Sequence, residues 1–276
     1  MTRPNQALQP TFCLRFATAN RRLSLGVGRQ KHELREIGLS TSNTLSTVGI
    51  PAPPGLNAAA HSAIHERMGS HKDNHPAAWG SFGAAWKGVV YRYRAACEYS
   101  TQFKDLNSLG RPATFEERYL QDHALFSFSV SALSALECFY FGMHCVGCVA
   151  DTSTFPIASA KDLKSYPPDV VKRYLAAFPA DQITTEMQAC LSAPAYIHLG
   201  EMRNVLTHRG APPRHFNVGG DDDGKVFMPS NPKELSPNWK FESEVDANTT
   251  ETLRSWLEIS LQKLLSAAQA FSSARI

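Results

Sequence analysis

From Trp79 onward, apolar residues recur every three or four positions. In "WGSFGAAWKGVVYRYRAACEYSTQF" (79–103) the spacing puts Phe82, Trp86, Val89/Val90, Tyr93 and Cys97 on one face and predicts an amphipathic helix. "SLGRP" interrupts it, with Gly110 and Pro112 as punctuation. Thr114 followed by Glu117 is a capping-box signature, so a second helix starts there. It continues through "DHALFSFSVSALSALECFYFGMHCVGCVA" to about Ala150.

Three shorter segments come next. "PPDVVKRYLAAF" is a Pro-led helix, and "DQITTEMQACLS" is a short one capped by Asp181. "APAYIHLGEMRNVLTHRG" spaces Ile197, Met202 and Val205/Leu206 at helical steps, with Gly210 as its stop before Pro212 and Pro213. Between 215 and 246 the pattern changes: a Gly/Asp-rich turn sits between short β-prone pieces, as in a hairpin. "NTTETLRSWLEISLQKLLSAAQAFSSA" restores a helical stripe through Leu253, Trp256/Leu257, Ile259/Ser260, Leu261 and Leu264/Leu265. The pattern predicts an all-α bundle of about five helices with a small β-like insertion.

The segment before Met68 has no sustained period. Its first 32 residues contain no acidic residue, and Ser, Thr, Pro and Ala dominate the stretch from Gly38 to Ala63. Residues 1–67 are expected to be a disordered or non-native extension, with translation starting at Met68 as one reading and an organelle transit peptide as another. The folded domain is then expected over 68–276.

Charge sharpens this division. Residues 1–67 hold eight basic and three acidic residues, while the rest of the chain is near neutral, for a total of +3. No global basic field points to nucleic acid, so any polyanion site must be a local patch. The six cysteines lie mostly in apolar helical stretches, which fits a reducing cytoplasm better than a disulfide framework.

Residues 124–150 are apolar enough to suggest a membrane span, for which about 18 residues suffice. Glu137 near the middle, His144 and a run of serines argue instead for the central buried helix of a bundle with no membrane partner.

Candidate chemistry concentrates in "EMRNVLTHRGAPPRHF" (201–216). On a helix, Arg203 and His208 lie about 140° apart, and Asn204 shares a face with His208. A fixed cation, an amide and an imidazole suit RNA phosphodiester cleavage: His takes the 2′-hydroxyl proton and Arg stabilises charge on the phosphate. Arg209, Arg214 and His215 extend a basic edge fit to hold RNA phosphate. Glu137, a carboxylate in an apolar helix, requires a partner, and Arg203 is the candidate. Either Glu137 orients Arg203 in a cleft, or it is a buried salt bridge or a protonated, hydrogen-bonded side chain.

"RNVLTHRG", set on a helix within an all-α bundle, resembles the Arg-x4–6-His motif of the HEPN superfamily. The resemblance implies a homodimeric, metal-independent endoribonuclease of a bacterial toxin–antitoxin or defence system, with RNA as substrate and an antitoxin protein as partner. It implies that Arg203 and His208 are the catalytic pair, with Asn204 the polar residue following the Arg. Two copies of the motif would meet across the dimer, and no cofactor is required. The alternative is a non-catalytic interaction or ligand-binding protein in which this turn is a hydrogen-bond hub.

Weaker signals read as structural. "HCVGC" (144–148) lacks a second ligand pair and reads as small buried residues in a helix contact. "GGDDDG" (219–224) lacks calcium-loop spacing and reads as a solvated turn. Arg92 and Arg94 could extend an RNA path.

Overall fold

The computed structural model describes residues 49–109, 111–159, 161–208, 226–229 and 241–276; of these, 208, 226–229 and 241–244 are described by their backbone alone. The described residues form α1 (Ala58–Ser70), α2 (Pro76–Asn107), α3 (Phe115–Ala150), α4 (Pro167–Ala177), α5 (Gln182–Ser192), α6 (Pro194–His208), β1 (Val226–Pro229), β2 (Phe241–Val245) and α7 (Thr249–Arg275). A 3-10 turn at Asp162–Lys164 precedes α4. The protein is an all-α bundle carrying one antiparallel hairpin, in which β1 and β2 pair Val226 with Val245 and Met228 with Ser243.

Seven helices are present among the described residues, rather than about five. The six helical segments read from the pattern are all present, with Pro194, which has no N–H to donate, starting α6 immediately after Ala193. The additional helix is α1, which corrects the expected boundary at residue 68. Asn57 caps it by accepting a hydrogen bond from the Ala60 N–H at 3.1 Å, and Ala60, His61, Ile64 and Met68 are buried. Residues 1–48 of the expected extension lie outside the described residues, as do Gly110, Gly210, Pro212, Pro213 and the turn at 219–224.

The core centres on α3. Its capping box forms as expected: the Glu117 N–H donates to Thr114 Oγ1 at 3.2 Å and the Thr114 N–H donates to Glu117 Oε2 at 2.8 Å. Arg111 clamps the same carboxylate and, with the Thr114 N–H, holds its pKa down to about 2. Helix α3 packs most extensively on α2, and also on α4, α6 and α7. Among the described helices it alone is long and apolar enough to cross a membrane, and 56% of its apolar window is buried inside the bundle.

Two tyrosines fasten neighbours to α3 through carbonyls. Tyr140 donates to the Met187 carbonyl of α5 at 2.8 Å, and Tyr174 of α4 donates to the Met143 carbonyl at 2.8 Å. Asp181 occupies the N-cap position of α5 but makes no capping bond; its carboxylate pairs instead with Arg275 of α7 at 3.0 Å. In α6 the expected apolar position Ile197 is 52% exposed, and Leu199 is buried with Met202 and Val205. Ile259 of α7 is likewise exposed, while the rest of that stripe faces inward.

Candidate functional site

Leu199, Met202 and Val205 anchor α6 in the core and thereby fix the direction of the two residues between the last pair. Arg203 is half-buried and reaches toward α3, where its Nη2 lies 3.6 Å from Glu137 Oε1. The pairing expected from sequence forms, but not as a buried salt bridge, since the two side chains are 34% and 42% exposed. An ion pair this long and this solvated contributes about 0–1 kcal/mol to stability. The Arg203 Nε is shielded from solvent and has no hydrogen-bond partner among the described residues. The guanidinium therefore retains donor capacity that Glu137 does not consume.

Asn204 is exposed, and its side chain makes no hydrogen bond among the described residues. Thr207 turns its hydroxyl back onto the Arg203 carbonyl at 2.6 Å, tying the last turn to the helix. His208 is the last described residue of α6, and the stop expected at Gly210 lies outside the described residues. The structure thus brings Arg203 and Glu137 together, with Asn204 one residue on. The His208 side chain, and Arg209, Arg214 and His215 entirely, lie outside the described residues.

Tyr196, two turns before Arg203 on α6, belongs to the same environment. Burial raises its pKa to about 12, with Glu137 adding to the rise and Arg203 opposing it. At neutral pH it is a neutral hydroxyl beside the ion pair. Its seven-residue separation from Arg203 places both on one helix face, a signal present in the sequence that the motif reading passed over.

His144 does not join Glu137, although both lie on one stripe of α3. It is buried, stacks on Phe141, meets the Phe155 ring at a tilt, and its Nε2–H donates to the Pro156 carbonyl at 3.1 Å. Burial lowers its pKa, and the hydrogen bond to Pro156 opposes the shift. Gly147 accepts the Phe155 ring so closely that a Cβ there would lie 2.6 Å from the ring's Cδ1. "HCVGC" is therefore the seat on which the segment after α3 rests. Burial pushes the Cys145 thiol up to about 12 and raises that of Cys148 too. Among the described residues no group of three or more His, Cys, Asp or Glu side chains is placed to hold a metal ion.

On its other side Glu137 lines a cleft of about 530 Å³ between α2, α3 and the segment 163–167. Arg92 of α2, Lys164 and Tyr166 line it as well. Arg94, by contrast, is occupied by Glu98 at 2.8 Å. Compared with family models, curated proteins and solved structures, the chain matches none.

Proposed function

We propose that this protein is an endoribonuclease of HEPN type, acting as a homodimer on RNA in the cytoplasm. The carrying observation is that Asn204 stands exposed on α6 with no side-chain hydrogen bond among the described residues, next to a half-exposed Arg203 whose Nη2 keeps one long contact, four and five residues before His208. A structural hub would bury and satisfy these groups; instead Asn204 is exposed and Arg203 has one long contact.

In the reaction His208 accepts the proton of a ribose 2′-hydroxyl, and the oxygen attacks the adjacent phosphorus. Arg203 stabilises the added negative charge on the phosphoryl oxygens, and Asn204 donates to the same group. The P–O5′ bond breaks and the leaving oxygen takes a proton from the protonated imidazole or water. The products are a 2′,3′-cyclic phosphate and a 5′-hydroxyl end. Glu137 holds Arg203 in place, and Arg209, Arg214 and His215 provide cations for the flanking phosphates. An activity of this kind fits a toxin or defence effector restrained by a partner protein.

The test uses the full chain, incubated in EDTA with single-stranded and structured RNA beside Arg203→Ala, Asn204→Ala and His208→Ala. Wild-type cleavage reduced at least about 100-fold by the arginine and histidine changes, in variants of unaltered fold, supports the reading. An inactive wild type, or a variant pair that cuts normally, returns the turn to a structural role.

A further inference from the structure

The cleft beside Glu137 has two unlike surfaces. Helices α2 and α3 approach closely at Gly88, where a Cβ would lie 2.7 Å from Cys138 Sγ. One turn earlier, α2 presents only Ser81, Ala84 and Ala85 toward Phe141 of α3, and the two helices leave a recess. The far wall is held firmly. Asp162 Oδ2 accepts from the Ser159 N–H at 2.8 Å, and Ser165 Oγ donates to the Asp162 carbonyl at 2.8 Å. Pro167, buried at the start of α4, ends this wall. Tyr166 is 68% exposed on it, so its ring is available to a ligand.

The charge in the cleft is uneven. Arg92 and Lys164 line it, and neither forms an ion pair with a carboxylate among the described residues. Glu137, its carboxylate, is already shared with Arg203. Positive charge is therefore in excess, beside an apolar far wall of Leu163 and Tyr166, with Phe141 lining the α3 side. The volume falls within the range of about 300–1,000 Å³ that holds a small organic ligand.

We infer that this cleft is a binding site for a nucleoside monophosphate unit, with its phosphate at Arg92 and Lys164 and its base on the apolar wall. Arginine matches phosphate oxygens through paired N–H donors, and exposed aromatic rings stack on bases. Glu137 accepts a hydrogen bond from a ribose hydroxyl or a base amino group. That the nucleotide belongs to an RNA strand bound for cleavage at Arg203 rests on the ribonuclease reading; occupancy of the cleft does not.

The experiment is calorimetric titration of the full chain with 5′-AMP, 5′-CMP and ribose 5-phosphate. The comparison variants are Arg92→Ala, Lys164→Ala and Ala84→Trp, the last a filling change at an exposed position that does not touch the core. The expected result is saturable mononucleotide binding at about 1 mM or tighter. Arg92→Ala should weaken it roughly tenfold, and Ala84→Trp should abolish it. No saturation, unchanged binding in Arg92→Ala and Ala84→Trp, or ribose 5-phosphate binding as tightly as the nucleotides would each overturn the assignment. RNA cleavage by the same preparations reports separately on Arg203 and His208. A chain that binds nucleotide without cutting RNA keeps the cleft and loses the ribonuclease; one that cuts without binding does the reverse.

Discussion

Glu137 and Arg203 touch without depending on each other for stability, and this separates two roles. Glu137→Gln keeps the shape and removes the charge. The expected change in unfolding free energy by urea is under about 1 kcal/mol, because the pair is half-solvated. If Glu137 positions Arg203, RNA cleavage falls roughly tenfold in kcat with KM little changed. His61 is the opposite kind of residue. Its Nε2–H donates to the Trp86 carbonyl at 3.0 Å, the Trp86 indole N–H donates to the His61 carbonyl at 2.9 Å, and the two rings stack. Burial lowers its pKa from near 6.5 to about 4, so the folded state holds the ring neutral where the unfolded chain would protonate it. The associated stability is present above pH 6.5 and is lost as the pH falls toward 4, by up to about 3 kcal/mol. Urea midpoints across this window should show that slope, and His61→Gln should flatten it. A variant with the wild-type slope would assign the acid sensitivity to His65 or His144, whose pKa values are also lowered by burial.

Among the elements, α3 and α6 show how far one glycine differs from another. Gly147→Ala forces a methyl group into the Phe155 ring and should lower stability by about 1–3 kcal/mol, read as a fall in Tm. At Gly200, mid-helix in α6, an added Cβ meets nothing within 4 Å. Gly200→Ala should therefore raise stability by about 0.5–1 kcal/mol through helix propensity alone. The elements with a wide apolar stripe or a marked cap were legible in the sequence: α2, α3 with its capping box, the Pro-led α4, and α7. Helix α1 was not, because its inward face is only Ala60, Ile64 and Met68, with a histidine acting as an aromatic. Asp181 was legible as a cap position but not as an ion-pair partner, since Arg275 lies 94 residues away. The Arg203–Glu137 contact was legible because a carboxylate in an apolar run demands a cation. The cleft was not: Ser81, Ala84 and Lys164 become neighbours only when three separate segments fold together.

At the scale of the whole molecule, the bundle needs α1. A chain beginning at Met68 loses Ile64, His61 and the hydrogen bonds to Trp86, and removal of the Ile64 side chain alone costs about 2–5 kcal/mol. Thermal unfolding of such a truncation should show a Tm well below that of the full chain, whereas an unchanged Tm would make α1 an ornament. Helix α1 packs chiefly on α7, with Asn57 Nδ2 donating to Ser266 Oγ at 3.1 Å and Arg67 Nη2 donating to the Ser273 carbonyl at 3.0 Å. These contacts join residues more than 200 positions apart in sequence. During synthesis, α1 leaves the ribosome long before the helix it clasps exists. At about 5–20 residues per second, it waits roughly 10–40 s without the larger of its two partners. Nascent chains stalled ahead of residue 249 should therefore be cut by protease within 58–70, and that segment should gain protection only once α7 has emerged.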